Sequence, residues 1–279
     1  MSERPPATLP ADGFNALAAC RHGPMLYNRN DQYVGASLAR YGEFSKGESD
    51  LFGQIVRPGA TVVEGGANIG AHTVEFSQRV GPGGSVWAFE PQRIVFQTLC
   101  ANLALNSCVN VRAFQAGLGA VAGEIAVPFL PPRQAANFGG LTLIGVRQGE
   151  AVPLRTVDDL RLAACDLLKL DIEGMEVEAL RGAEETVRAH RPLIYVENDR
   201  QERSEELVTL LLAWDYRPYW HLTPLFSPAN FAGEPENIFG NTCSFNLLCV
   251  PRERGVVVEA MQEITSLAGA RMPAGGPAS

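Results

Sequence analysis

Four carboxylates stand at the carboxyl ends of four short apolar runs: Glu64 after Thr61–Val63, Glu90 after Ser85–Phe89, Asp171 after Leu167–Leu170 and Glu197 after Leu193–Val196. Acidic groups gathered at one edge of a sheet can accept hydrogen bonds from a ligand, take a proton as a general base, or hold a hard divalent cation. Spacing separates some of these roles. Glu64 opens the run Glu64-Gly65-Gly66-Ala67-Asn68-Ile69-Gly70, which passes directly from strand to helix. Its carboxylate can receive a ligand's ammonium. Gly66 lets the backbone turn sharply and approach a ligand, and Gly70 lets the next helix pack close to the strand. Asn68 can donate and accept within the turn. Glu90 follows about two dozen residues later, a placement that suits the two hydroxyls of a ribose. Together they point to an adenosine-containing cofactor. Taken singly, the loop is a Gly-rich turn and Glu90 a surface acid. The loop is not GxGxxG, because Asn68 fills the place of the second glycine, and this speaks against an NAD-dependent oxidoreductase.

Asp171 and Glu197 remain, with Glu173 and Asn198 beside them. Either carboxylate can serve as a general base whose pKa burial and like charge would raise. Asp171 and Glu173 can instead cap the helix that follows them. His221, at the end of a later strand, is a fallback base, although a lone histidine is more often structural. His72, one turn into the helix after the glycine loop, reads as a packing or surface residue. Tyr41, Glu43 and Phe44 can form part of a lid. Trp214, Tyr219 and Trp220 can line an acceptor pocket or belong to the core.

The elements that position these groups alternate along the chain. Strands are expected at Thr61–Glu64, Ser85–Phe89, Asn110–Gln115, Leu167–Leu170, Leu193–Val196, Tyr216–Leu222 and Ser244–Val250. Helices are expected at Phe44–Val56, Ile69–Val80, Ile94–Asn106, Met175–Ala189 and Glu202–Trp214, with a short one at Val157–Leu162. Gly123–Leu154 reads as an irregular insertion with strand-like stretches. This is an α/β chain: a Rossmann-like, doubly wound seven-stranded sheet with an antiparallel last strand. Its organisation is read as an N-terminal tail and extension (1–40), the Rossmann-like domain (41–255), and a C-terminal helix and flexible tail (256–279). The first and last dozen residues have the composition of disordered tails.

The 279 residues carry a net charge of −8 and no run of Lys or Arg, which disfavours a nucleic-acid substrate. A neutral or cationic small molecule fits better. The six cysteines show neither a CxxC pair nor zinc spacing, as expected of reduced thiols in a cytoplasmic protein. No apolar run reaches the roughly eighteen residues of a membrane span, and the polar, Pro-rich start shows no export pattern.

The block Leu168-Lys169-Leu170-Asp171-Ile172-Glu173-Gly174-Met175-Glu176 resembles a signature of the FkbM family of methyltransferases. So do the Glu64–Thr73 loop, Phe89-Glu90-Pro91, Arg155–Leu160, Arg191–Glu197 and Phe245–Pro251, in order along the chain. The family form opens the loop with Asp, where Glu64 carries the same group on a longer arm. The resemblance implies a methyltransferase that uses S-adenosylmethionine, with Glu64, Gly66, Asn68, Gly70, Thr73 and Glu90 holding it. It further implies methylation of a hydroxyl on a sugar, cyclitol or other natural-product intermediate. An amine or carboxyl acceptor, or noncatalytic cofactor binding, are the alternatives. Asp171, Glu197 and Asn198 also resemble the oxygen set by which catechol-type methyltransferases hold Mg²⁺; Ca²⁺ would suit the same donors. The oligomeric state has no signature in the sequence.

Overall fold

The computed structural model describes residues 9–271. The chain opens with a hairpin, β1 (Asn15–Cys20) and β2 (Gly23–Asn28), then α1 (Val34–Tyr41) and α2 (Lys46–Ile55). The central alternation follows: β3 (Thr61–Gly65), α3 (Ala71–Val80), β4 (Ser85–Phe89), α4 (Arg93–Leu105) and β5 (Val111–Phe114). Then come β6 (Gly117–Leu118) and, from the expected insertion, β7 (Gly123–Val127) and β8 (Glu150–Arg155). Next come β9 (Leu167–Leu170), α5 (Glu176–Arg181), α6 (Glu184–His190), β10 (Leu193–Glu197) and α7 (Gln201–Ala213). The chain closes with β11 (Tyr216–Pro224), β12 (Cys243–Pro251) and β13 (Gln262–Glu263).

The main sheet runs β13-β11-β12-β10-β9-β3-β4-β5. From β10 to β5 every pairing is parallel, and β12 lies antiparallel to both β10 and β11. Strand order reverses between β3 and β9, so the crevice for a ligand lies above their carboxyl ends. Both faces of the sheet are covered, so its strands are apolar on both sides. Val62, Leu167 and Tyr195 pack on one face with Phe52, Phe76 and Val80 of α2 and α3. Val63, Leu168, Ile194 and Val196 pack on the other with Val177, Leu180, Val187 and Leu211 of α5 to α7.

Phe52 is fully buried, its ring 4.8 Å from that of Phe76 and 5.0 Å from that of Tyr195. Phe52→Ala is expected to cost about 3–5 kcal/mol, the usual effect of emptying a large core site, and a urea unfolding midpoint measures it.

Several expectations are corrected. The sheet has an eighth strand, β13, because residues 256–271 cross the outer edge as a strap in which Ile264 N donates to Pro218 O, and its only helical element among the described residues is a short 3₁₀ turn at Leu267–Ala270. Within 1–40, the described residues hold α1 and a paired hairpin, whose β2 docks on α4 through Asn102 (Leu26 N to Asn102 Oδ1, 2.6 Å; Asn102 Nδ2 to Leu26 O, 2.9 Å). Residues 1–8 and 272–279 of the expected tails lie outside the described residues. The expected Met175–Ala189 helix is two helices. At Gly182 the chain passes so near the Gly119 carbonyl that a Cβ would not fit, and the helical ladder breaks there. The two strands of the insertion join β6, which precedes it, in a separate small sheet, β6-β8-β7. Among the described residues, no helix is long and apolar enough to cross a membrane.

Candidate functional site

The turn between β3 and α3 carries the first functional groups. Gly66 adopts φ +74° and Asn68 φ +50°, left-handed conformations that Gly takes freely and Asn takes more readily than most residues. The amides of Gly66 and Ala67 donate to Phe89 O at the end of β4 (3.0 and 2.9 Å). Asn68 fixes the turn by accepting from Ile69 N at 2.7 Å. Glu90 ties the two strand ends together: it accepts from Asn68 N (3.0 Å) and Gln92 N (2.8 Å). Burial pushes its carboxyl up to about 7, against those amide bonds. Gly70, at φ +90°, lets α3 start against Leu99, whose Cδ1 would lie 2.7 Å from an added Cβ.

Glu64 is buried beneath this turn. Thr73 Oγ1 donates to its Oε2 at 2.6 Å, and Lys169 Nζ lies 3.8 Å from its Oε1. Burial raises the Glu64 carboxyl; the Lys169 charge opposes the shift. Lys169 is 1% exposed in an otherwise apolar strand, and its Nζ also lies 3.5 Å from Asp171 Oδ2.

Two adjoining compartments open above the strand ends. The smaller, ≈ 50 Å³, is largely apolar, with Phe89, Leu118, Leu141, Leu143, Ile172 and Met175 in its wall and Glu90 at its rim. The larger, ≈ 400 Å³, runs from Gly66 and Asn68 past Glu64, Lys169 and Asp171 to Glu197, with Phe44 and Ser244 on its far side. Asp171 lines both.

Asp171, Glu173 and Glu197 place one carboxylate oxygen each within 4.8 Å of one another. Glu197 Oε2 is buried without a hydrogen-bond partner. Burial, then the charges of Asp171 and Glu173, pushes its carboxyl well above the usual range. Glu173, at φ +58°, reaches back into the cluster and accepts from Arg200 Nη2 at 2.6 Å. Burial and the Asp171 and Asp199 charges push Glu173 up to about 8.

Asn198 is corrected out of this oxygen set. Being next after Glu197, it points to the opposite face, where its Nδ2 donates to Ser204 Oγ of α7 at 2.8 Å. His221 does not line either compartment; its Nδ1 meets the Tyr195 hydroxyl at 2.8 Å. Trp220 and Tyr219 also lie elsewhere, bonded to Gly269 O and Glu263 in the C-terminal strap. The cap before α5 is made by Glu176, which accepts from Ile172 N and Gly174 N (3.0 and 3.1 Å), and not by Asp171 or Glu173. Gly66, Asn68, Glu64, Glu90, Asp171 and Glu197 all come together; Thr73 and Gly70 stand behind them.

Sequence reasoning missed Glu48 and Lys169 and undervalued His72, and all three line the larger compartment. A lysine inside Leu-Leu-Lys-Leu was a readable signal. Glu48 had none. It is buried on α2 and accepts from Ser244 Oγ (2.8 Å) and Asn246 Nδ2 (3.1 Å) of β12. Its partners are 196 and 198 residues away.

Comparison with known proteins returns the same family that the motifs resemble. A family model described as the methyltransferase FkbM domain matches residues 64–218. The methyltransferase sdnD of Sordaria araneosa is 31% identical over 157 residues, covering 44% of this chain and 60% of that protein. Methyltransferase 1 of Beauveria bassiana is 27% identical over 146 residues, covering 44% of this chain and 58% of that protein. The matches thus span less than two thirds of either relative. Among solved structures, an FkbM methyltransferase from Methylobacillus flagellatus aligns at 22% identity and a TM-score of 0.45, covering 72% of this chain and 50% of that one.

Proposed function

Because this chain belongs to the FkbM methyltransferase family, we propose that it moves a methyl group from S-adenosylmethionine to a hydroxyl of a small polar molecule, of the sugar, cyclitol or natural-product class. The observation that carries this reading is the position of Asp171, shared by a small, largely apolar compartment beside Glu90 and a larger polar one. In this reading adenine packs against Phe89, Leu118 and Ile172, and Glu90 accepts from both ribose hydroxyls. The methionine portion lies along Gly66–Asn68. Thr73 acts through Glu64, since its hydroxyl is already given to that carboxylate.

When bound, S-adenosylmethionine supplies a methyl carbon activated by its positive sulfur. A C–O bond to the acceptor forms as the C–S bond breaks, and sulfur keeps the electron pair. The acceptor oxygen must sit about 3 Å from that carbon, with water excluded. Asp171 takes the hydroxyl proton. Glu197, its carboxyl pushed well above the usual range by burial and its acidic neighbours, stands beside it and can donate a hydrogen bond to the same hydroxyl when protonated. The products are a methyl ether, S-adenosylhomocysteine and a proton. An acceptor already anionic would meet the acidic cluster of Asp171, Glu173 and Glu197, so a neutral polyol is favoured. A hard cation also fits this donor set: Asp171, Glu173 and Glu197 would hold it, and it would acidify a coordinated hydroxyl.

Calorimetric titration with S-adenosylhomocysteine, with NAD as control, tests the reading. Binding without NAD binding is expected. Glu90→Ala should weaken it by on the order of a hundred-fold, the worth of two hydrogen bonds to a charged acceptor. Glu90 must be ionised to accept from both hydroxyls, and its folded pKa lies near 7. Affinity should therefore hold above neutrality and fall as pH drops below about 7. Binding of NAD instead, or none of either, overturns the proposal.

A further inference from the structure

The connection 225–242 between β11 and β12 runs past the roughly 12–15 residues of an ordinary structureless loop, a length usually kept for function. Its two ends, Leu225 and Thr242, line the larger compartment. Its middle is mostly exposed and folds on itself. Asn230, the one buried residue of the stretch, donates through Nδ2 to Ser227 O (2.8 Å) and Glu234 O (2.7 Å) and accepts from Glu234 N (2.9 Å). Gly233 and Gly240 flank 234–239 in left-handed conformations, with no atom within 4 Å of an added Cβ, so nothing packed beside them resists a pivot.

The end of α1 and the turn after it hold this lobe down. The Tyr41 hydroxyl donates to Glu236 O and accepts from Ile238 N, both at 2.9 Å, and the Tyr41 carbonyl accepts from Ala232 N at 2.9 Å. The Tyr41 ring, 1% exposed, lies 5.4 Å from that of Phe226 and 5.8 Å from that of Phe239. Glu43 accepts from Phe231 N at 3.1 Å and from Arg21. Arg40 pairs with Glu234 at 3.3 Å and with Glu236. These are mostly side-chain bonds between two surface segments, not rungs of the sheet, and such structure opens locally at far lower cost than the core. The same stretch faces the chamber: Tyr33, Val34 and Phe44 line it, and the Tyr33 ring stacks on Phe239 of the lobe at 6.0 Å.

We propose that 225–242 is a lid over the acceptor end of the larger compartment and that Tyr41 is the residue that latches it. This rests on the reading that the acceptor occupies that compartment. The acceptor enters when the Tyr41 hydroxyl releases Glu236 and Ile238. The latch then re-forms behind it and keeps water from the hydroxyl to be methylated. In the same reading the adenosine portion lies at the other end, beside Glu90, so the lid governs entry of the acceptor and not of S-adenosylmethionine.

Cys243 is the reporter, because it opens β12 at the lid's end and lines the chamber. Wild type, Tyr41→Phe and Arg40→Gln are treated with iodoacetamide, and mass spectrometry gives the labelling rate of each cysteine. Tyr41→Phe keeps the ring contacts and loses both hydroxyl bonds, so Cys243 should react about ten-fold faster, the worth of one to two neutral hydrogen bonds. Arg40→Gln breaks only exposed ion pairs and should raise the rate by about two- to three-fold. Cys249, fully buried on the same strand, should stay unlabelled in all three proteins. S-adenosylhomocysteine should bind all three alike. Hydrogen exchange of wild type supplies a second measurement: the amides of Phe231, Ala232 and Ile238 should exchange at least about a hundred-fold sooner than those of Leu247 and Leu248 in β12. A Cys243 rate unchanged by Tyr41→Phe overturns the lid. So does exchange of the three amides in step with β12, which would make the loop part of the rigid fold. Ten-fold weaker S-adenosylhomocysteine binding in Tyr41→Phe overturns its placement at the acceptor end. Should Tyr41→Phe expose Cys249 as well, that variant has loosened throughout, and Arg40→Gln with the wild-type exchange pattern decides. Wild type that fails to bind S-adenosylhomocysteine overturns the cofactor reading itself, a different result from an unchanged Cys243.

Discussion

Gly66→Ala is expected to remove measurable S-adenosylhomocysteine binding, a loss of more than about a hundred-fold. Two effects add. Gly66 sits at φ +74°, where an alanine costs about 1–2 kcal/mol. Its Cβ would also run into the Asp171 carbonyl oxygen, far inside contact distance, with Ile172 behind it. The backbone can relieve that overlap only by moving the turn away from β9. This shifts the amides held by Phe89 O and the Asn68 amide held by Glu90, and so displaces the cofactor groups together. Gly59→Ala separates the effects: φ is +85° there, but nothing lies within 4 Å of the new Cβ. It should cost about 1–2 kcal/mol in urea unfolding and leave binding unchanged. Equal binding by Gly66→Ala and wild type would show that the cofactor does not approach this turn.

Asp171→Asn is expected to lower methyl transfer by about 10²–10⁴-fold, the usual contribution of a positioned base. Binding of S-adenosylhomocysteine should stay within about ten-fold of wild type, because the amide keeps the shape and its acceptor oxygen. Labelled cofactor supplied with a panel of polyols gives the readout. Glu197→Gln is the matched comparison. Burial and its acidic neighbours push the Glu197 carboxyl well above the usual range, toward the protonated form that an amide resembles. The rate should therefore fall by less than about ten-fold. If Glu197→Gln abolishes transfer while Asp171→Asn does not, the base is Glu197.

The parts of this site that the sequence announced are those set by short-range geometry. A carboxylate at the end of a buried strand, followed by Gly66, Asn68 and Gly70, has few structures open to it. Strands β3, β4, β9 and β10 fall within a residue of expectation for the same reason. What escaped depends on distant partners. The hairpin β1–β2 has weak alternation of its own and is fixed by Asn102 of α4. Gly182 looked tolerable in a helix because Gly119, the atom group it meets, is remote in the chain. Asn198 resembled a cation ligand in type and position, but strand alternation turned it toward Ser204. His221 lay at the right end of its strand, yet β11 is separated from β10 by β12, and its ring meets Tyr195 instead of the cavity. The apolar compartment drew Leu141 and Leu143 from a stretch that read only as irregular insertion.

The bonds from Glu48 to Ser244 and Asn246 have a consequence for how the protein comes into being. They join the second helix to a strand made almost two hundred residues later (196 and 198 positions apart). During synthesis the glycine turn, Glu90 and Asp171 all emerge while this wall of the cavity is still missing. A long-separated contact of this kind forms late, because its loop must close before it contributes anything. The wall of the cavity is complete only once β12 lies between β10 and β11 and brings Asn246 up to Glu48. A ligand that holds both walls would then act on the newly made protein as a clasp, drawing the last strand into place.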